Sequence, residues 1–207
     1  MSLTIKKVNG IGNELRQNTY IIEFEDCCVV IDAGTHVDEI KQLTNKPIAA
    51  VLITHGHYDH VIQIESYQNN NIPIYAHKDI EKMLSNPYMN ASHLFGENIV
   101  FNIKDIKYVE NETININNKE IKCIHTPGHS LDSMSYLIDN QLFSGDTLFA
   151  TSIGRTDLLC SKTSDIIESL NALSEQEYEI LYAGHGRPSN KEEQENNIKH
   201  WLTMLKR

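Results

Sequence analysis

Thr54-His55-Gly56-His57-Tyr58-Asp59-His60 puts three histidines and an aspartate within six positions. Imidazole nitrogens and carboxylate oxygens are the ligands that a borderline ion such as Zn²⁺ prefers. His55 and His57 are two residues apart, so an extended or tightly turned backbone lets them grip one ion together. Asp59 and His60 follow as the chain enters a helix, and point elsewhere. The stretch reads as two adjacent metal positions on one loop. Chance yields a His-x-His-x-Asp-His pattern in roughly one chain per thousand of this length and composition. A polar surface turn needs none of these residues, since Ser, Asn and Gly serve there.

Just before the motif, Ile48–Ile53 is almost wholly apolar, as expected for a strand covered on both faces. Upstream, Asn18–Glu25 and Cys27–Asp32 predict a hairpin turning at Glu25-Asp26 and ending in Asp32-Ala33-Gly34. Strand ends are where α/β folds build sites, so Asp32 is either a turn residue or part of one. Residues 2–8 read as a further strand, with Gly10 and Gly12 marking a turn. Val37, Ile40 and Leu43 predict a helix over 36–45 closed by Pro47, and Val61, Ile62, Ile64 and Tyr67 another ending near Asn69–Asn71. A short strand at Pro73–Ala76 and a short helix at 78–84 follow. Residues 88–103 read as irregular, with His93 a surface or packing histidine.

Several short strands are expected over 106–125, then a pair at Met134–Ile138 and Gln141–Ser144. A helix at Ser164–Leu173, a strand at Tyr178–Ala183 and a terminal helix over 190–205 complete the chain. No linker, repeat or low-complexity run interrupts it, so residues 1–207 are expected to form one domain. Locally paired strands followed by strand–helix alternation in each half predict an α/β chain with sheets inside and helices outside.

Three further strand-like segments deliver His129, Asp146 and His185, each with glycine beside it. A single buried His or Asp is more often a hydrogen-bonded core group than a ligand. Four strand ends presenting only His and Asp are harder to dismiss. His55, His57 and His129 would hold one ion, Asp59, His60 and His185 a second, and Asp146 has two oxygens with which to bridge them. Such a set leaves open coordination for water, the mark of a catalytic site. Two ions ~3.5–4 Å apart acidify that water, polarise a substrate oxygen and stabilise the leaving group. The chemistry implied is hydrolysis. Zinc, iron and manganese all accept these ligands, with zinc placed first.

The formal charge of −10 argues against a nucleic-acid groove, and the partner expected is a small molecule. No apolar run approaches the ~18 residues needed to span a bilayer, and Met1–Lys7 has no apolar signal-peptide core. Cys27, Cys28, Cys123 and Cys160 form no Cys-x-x-Cys pair. Free thiols in a reducing cytoplasm are expected, with Cys27 and Cys28 on opposite faces of a strand and Cys160 open to a reactive role. Oligomeric state leaves no mark in the sequence.

Thr54-His-Gly-His-Tyr-Asp-His60, Thr126-Pro-Gly-His129, Ser144-Gly-Asp146 and Gly184-His-Gly186 resemble the metallo-β-lactamase superfamily in order and spacing, from about Asp32 to His185. The resemblance implies an αββα four-layer sandwich with metals in a cleft at the sheet edges. It also implies that Asp32 braces the histidine loop and fixes ligand orientation. Ser144-Gly-Asp-Thr-Leu-Phe149, Gly154-Arg-Thr-Asp157 and Ala183-Gly-His-Gly186 look like the short glyoxalase-II-like hydrolases. Those act on thioesters such as S-lactoylglutathione, through a hydroxide bridging two metal ions. On that pattern Asp59 orients the nucleophile or accepts its proton, and Arg155 is the cationic candidate for substrate, or else pairs internally with Asp157.

Two departures stand out. Leu131-Asp132 replaces the usual Pro-Gly, where Asp is expected to tolerate a left-handed turn. Full-length glyoxalase II adds a C-terminal helical extension with thiol-binding residues, whereas this sequence has room for a single terminal helix up to Arg207, so the resemblance implies an acyl thiol rather than glutathione in particular. Rival readings are a mononuclear iron persulfide dioxygenase, which shares Gly-Arg-Thr-Asp, a lactonase or other ester hydrolase, and a catalytically silent metal-binding protein. Gly184-His185-Gly186 favours a full second site over the first of these. Asp146 counts against a lactamase, where Cys or Ser is usual.

Overall fold

The computed structural model describes residues 3–9 and 16–206, so the turn expected at Gly10 and Gly12 lies outside the described residues. One sheet is built from β1 (Thr4–Asn9), β2 (Asn18–Glu23), β3 (Cys28–Ile31), β4 (Ile48–Leu52), β5 (Ile74–Ala76) and β6 (Lys107–Tyr108), in that spatial order. β1, β2 and β3 are antiparallel, and β3 through β6 run parallel. The other sheet contains β7 (Glu112–Ile116), β8 (Lys119–His125), β9 (Met134–Ile138), β10 (Gln141–Gly145), β11 (Ile180–Ala183) and β12 (Ser189–Asn190), in spatial order β12-β11-β10-β9-β8-β7. Here only β10 and β11 are parallel.

Side-chain alternation along the strands assigns the layers. On β2 and β3, Tyr20, Ile22, Val29 and Ile31 face one way, and join Met134, Tyr136, Ile138 and Phe143 of the second sheet in the central core. Their neighbours Ile21, Cys28 and Val30 face the opposite way, against α1 (Val37–Leu43), α3 (Ile64–Asn69) and α4 (Ile80–Leu84) through Val37, Ile40, Ile64, Tyr67 and Ile80. Cys27 and Cys28 duly fall in different cores. On the far side, Leu142, Leu181 and Ala183 pack with Ile166, Leu170 and Leu173 of α5 (Thr163–Ser174) and Ile198 of α6 (Lys191–Leu205). The result is a helix–sheet–sheet–helix sandwich, an α/β architecture as expected.

Helix boundaries follow local chemistry. The α6 start is a capping box, in which the Asn190 side chain accepts from Glu193 N and the Glu193 carboxylate accepts from Asn190 N. One departure matters for the site. The single helix expected after His60 is split into α2 (Tyr58–Val61), which begins inside the motif, and α3. The cause is a competing acceptor: the His60 carbonyl receives Ala33 N at 2.8 Å, and Gln63 N is spent on Ala33 O at 2.9 Å. The helical ladder therefore breaks where the motif is tied to the end of β3. A one-turn 3₁₀ helix at Ser92–Phe95 and the short strand β12 had no periodic signal to announce them. No helix among the described residues is long and apolar enough to cross a membrane.

Candidate metal centre

Asp32 is the keystone of the histidine loop. It follows β3, is 1% exposed, and sits in the left-handed region at φ 64°. That backbone is costly for a residue with a Cβ, and Asp is among the few that accept it. Its carboxylate accepts Thr54 N at 2.7 Å and Thr54 Oγ1 at 2.9 Å, and lies 2.7 Å from His60 Nδ1. A proton on His60 Nδ1 donated to this carboxylate leaves Nε2 with a bare lone pair. His129 is set the same way, its Nδ1 donating to the Arg155 carbonyl at 3.0 Å and leaving Nε2 bare. His55 Nδ1 is 3.1 Å from Thr54 Oγ1. In each case one ring nitrogen is engaged by the protein and the other is released, the pattern that orients metal-ligating imidazoles.

The released atoms converge. His55, His57 and His129 bring their nitrogens within 4.8 Å of one another, and Asp59, His60 and His185 form a second group within the same limit. His57 Nδ1 is 2.9 Å from His129 Nε2, and His185 Nε2 is 3.1 Å from Asp59 Oδ2. His60 Nε2 stands 3.8 Å from Asp59 Oδ2. Two ligands bound tetrahedrally at 2.0–2.1 Å to one ion sit roughly 3.3 Å apart, a value these distances bracket. Asp146 touches both groups: Oδ2 is 3.4 Å from His185 Nε2 and 3.7 Å from His129 Nε2, while Oδ1 is 3.3 Å from His60 Nε2.

Unpaired buried atoms test whether a cation fits. His55 Nε2, His60 Nε2 and Asp146 Oδ1 are buried without an aligned hydrogen-bond partner among the described residues. Three such atoms at one spot are expensive unless something binds them. All are lone-pair donors, and a divalent ion satisfies them together.

Electrostatics divides the two groups. Burial pushes His55, His57 and His129 down, with neighbouring imidazoles adding to it at His55 and His57, where His57 falls to about 3. These rings are neutral at pH 7 and ready to ligate. At Asp59 and Asp146 burial pushes up, but His60 and His185 outweigh it and hold both carboxylates below the usual range. His60 and His185 are conversely raised: burial opposes the rise, and Asp32, Asp59 and Asp146 around His60, with Asp146 and Asp59 beside His185, overcome it. The second group thus concentrates negative charge that protons otherwise neutralise, and a metal replaces those protons.

Two glycines make the convergence possible. A Cβ at Gly184 would run into Asp146 Oδ1 and His60 Cε1. Gly145, at φ 50°, lets β10 end against Thr54, whose side chain a Cβ there would meet at 2.6 Å.

All seven residues expected to ligate are brought together, and Asp32 stands behind them. The Arg155 guanidinium pairs with Asp157 at 2.6 and 2.8 Å, the internal pairing that stood as its alternative reading, and the Arg155 carbonyl holds His129. Cys160 Sγ lies 4.0 Å from His57 Nε2 and 3.5 Å from Met89 O, and burial pushes its thiol up to about 11, so that little thiolate is present at pH 7.

Asp132 departs most from expectation. It does not adopt the left-handed backbone anticipated for it. Its buried carboxylate instead accepts Gly56 N at 2.8 Å and Ser130 Oγ at 2.7 Å, tying the loop of His55 and His57 to the loop of His129. The available signal was that Asp132 is the one Asp, Glu, Lys or Arg between Thr126 and Ile138. A cavity of about 430 Å³ opens beside His185, lined by Phe149, Ala150, Thr151, Ser152, Gly186 and Arg187. Loop residues of this kind carry no periodicity and went unnoticed in the sequence.

Comparison with known proteins agrees with this geometry. The family model for the metallo-β-lactamase superfamily matches residues 12–185. A probable metallo-hydrolase of Streptococcus pyogenes is 31% identical over 195 residues, covering 87% of this chain and 82% of that protein. A hydroxyacylglutathione hydrolase of Buchnera aphidicola is 31% identical over 157 residues, 73% of this chain but 54% of that protein. Among solved structures, the BLEG-1 B3 metallo-β-lactamase superposes with a TM-score of 0.86 at 28% identity, covering 97% of this chain and all of its own.

Proposed function

The chain belongs to the metallo-β-lactamase superfamily, and from that premise we propose that it is a two-metal hydrolase that cleaves a thioester of the S-lactoylglutathione type. The observation that carries the two-ion reading is Asp146, whose one oxygen lies within 3.7 Å of a ligand nitrogen in each group. His55 Nε2, His57 Nδ1 and His129 Nε2 would hold one divalent ion, and Asp59, His60 and His185 the other, with Asp146 shared. Zinc is the ion we favour on the chemistry of this donor set. Such ions, when bound, supply an acidified water and a polarised acyl oxygen.

The chain's own residues do the rest. Asp59 Oδ2, kept ionised beside His60 and His185, orients the attacking water and accepts its proton. Water adds to the acyl carbon, the C–S bond breaks, and the thiol leaves with a proton, giving a free acid. The cavity beside His185 is the space we assign to the thiol carrier. Support for a thioester over other esters comes from the run Ser144-Gly-Asp-Thr-Leu-Phe149, from Asp146 in the shared position, and from the Buchnera relative.

Elemental analysis of protein never exposed to chelator should give two ions per chain at the catalytic cluster. Variants Asp146→Asn and His129→Ala should each lose part of that complement. The metal-replete protein should then hydrolyse S-lactoylglutathione or a simpler acyl thiol, and chelator should abolish the reaction. Turnover of a β-lactam or a lactone but of no acyl thiol refutes the thioester assignment while leaving the two-metal centre intact. One iron per chain with oxygen uptake on glutathione persulfide refutes both.

A further inference from the structure

Loop 149–152 is anchored at both ends beside the catalytic cluster. Leu148, two residues after Asp146, bridges Ile153 across the base of the loop. Gly154 then comes so close to the cluster that a Cβ there would run into Asp146 O and the His129 side chain. Phe149 is half-buried, packs in part against the core beneath α6, and lines the cavity beside His185. Its ring lies against the His185 imidazole, with centroids 6.2 Å apart and planes at 63°.

The shape of this loop is set from α6. Phe149 N donates to Ser152 O at 2.9 Å and closes the turn. The loop carbonyls face two amides of the helix. Gln194 Nε2 lies 3.1 Å from Phe149 O and 3.4 Å from Ala150 O, and Asn197 Nδ2 donates to Phe149 O at 3.0 Å and to Ser152 O at 3.3 Å. The amides also brace each other, Asn197 Nδ2 reaching Gln194 Oε1 at 3.2 Å, while Gln194 Nε2 donates to Ser189 Oγ at 2.6 Å. Gln194 is fully buried. Residues 194, 197, 198 and 201 share one helix face by their spacing, and Ile198 and Trp201 use that face for core packing. An apolar residue would suit position 194 as well. A buried amide is stable there because the loop satisfies it.

We propose that Phe149 is the specificity-determining wall for the thiol carrier, and that Gln194 and Asn197 are positioning residues that hold its ring against His185. The proposal rests on the thioester reading for the identity of that ligand. The wall is apolar where it adjoins His185, and the cation lining the same cavity, Arg187, is already paired with Glu193 at 2.9 and 3.1 Å. The carrier it suits therefore has an apolar, uncharged stem next to sulfur, of the arylalkyl or alkyl thiol class.

The test uses the metal-replete full chain and two probe thiols, 2-phenylethanethiol and 2-mercaptoethanol, titrated by calorimetry. Wild type should bind the phenyl thiol about tenfold more tightly, the worth of one ring–ring contact. Phe149→Ala should abolish that preference. Asn197→Asp keeps the size of a half-buried side chain but turns an acceptor toward the Phe149 and Ser152 carbonyls, and should cut the preference by about threefold or more. Added to Phe149→Ala it should change the preference no further, because Asn197 acts through the ring. Equal affinities in wild type, equal losses for both thiols in Asn197→Asp, or additive effects in the double variant overturn the proposal. Acyl-thiol turnover is scored separately. A protein with the preference that hydrolyses no acyl thiol refutes the thioester reading and supports the wall, whereas equal KM for thioesters of the two carriers refutes the wall alone.

Discussion

Asp132→Asn isolates the titration of a single buried group. Burial pushes the Asp132 carboxyl up to about 6 from an ordinary 3.8, against hydrogen bonds from Ser130 and Gly56 that pull it down. A folded-state pKa above the unfolded one means that the folded chain binds the proton more tightly. Stability from this group is therefore greatest at low pH and is lost as pH rises through about 6. With those two values, the folded state is favoured at pH 4.5 by about 2 kcal/mol relative to pH 7.5, and the contribution is spent above pH 7.

Asparagine keeps the shape and one acceptor oxygen for Gly56 N. Ser130 Oγ, which also reaches Ser133 Oγ at 2.7 Å, can turn to accept from the new amide. The variant should fold, and its stability should lack this pH dependence. Urea unfolding of metal-free wild type and variant, at pH 4.5 and 7.5, gives the comparison directly. Every other titration, including those of the site histidines, cancels in the difference. The gap between the two proteins should change by about 2 kcal/mol in favour of wild type at the lower pH. If the gap is the same at both pH values, Asp132 is not a carboxyl raised by burial.

Gly184→Ala should fold but bind the ion at Asp59, His60 and His185 at least tenfold more weakly, because its methyl occupies space used by Asp146 Oδ1 and His60; tight binding of both ions in a competition titration would contradict it. Asp32→Asn presents an amide to His60 Nδ1 and moves the ring proton to Nε2, so ion affinity should fall by roughly 10–100-fold, and an unchanged affinity would remove Asp32 from its bracing role. Iodoacetamide at pH 7.5 should label Cys160 roughly a hundredfold more slowly than a free thiol, given a folded pKa of about 11, and reach the ordinary rate in urea. Ion binding at a hundred times its dissociation constant adds about 2.7 kcal/mol. Chelation should therefore lower Tm by roughly 5–10 °C in differential scanning calorimetry, whereas an unmoved Tm would mean that the ligand cluster is vacant in the native protein.

What the sequence made legible has a common physical origin. Ile48–Ile53 and Tyr178–Ala183 are apolar runs ending abruptly in His or Asp, and both the strand and the change of polarity are local. The same locality identified Asp32, His129 and Asp146 as strand-end groups. Features that depend on long-range partners were not legible. The split of the helix after His60 depends on Ala33, and the bond that orients His129 depends on the Arg155 carbonyl, 26 positions away. Asp132 was read through its backbone, because a turn is a local object. Its function depends on Gly56, 76 positions away, and no periodicity reports that pairing.

Both groups of ligands draw on both sheets, and this couples chemistry to folding. His55 and His57 follow β4 of the first sheet while His129 follows β8 of the second; Asp59 and His60 belong to the first while His185 and Asp146 follow β11 and β10. Neither ion can be held by one sheet alone. The sheets also hold each other by bonds of their own beside these loops: Met134 N donates to Thr54 O at 2.7 Å, Tyr136 OH to Ile53 O at 2.7 Å, and Asn18 N to Gly184 O at 2.7 Å. An ion shared by ligands from both sheets would add to these bonds, so that part of the free energy of ligation goes into holding the sheets together.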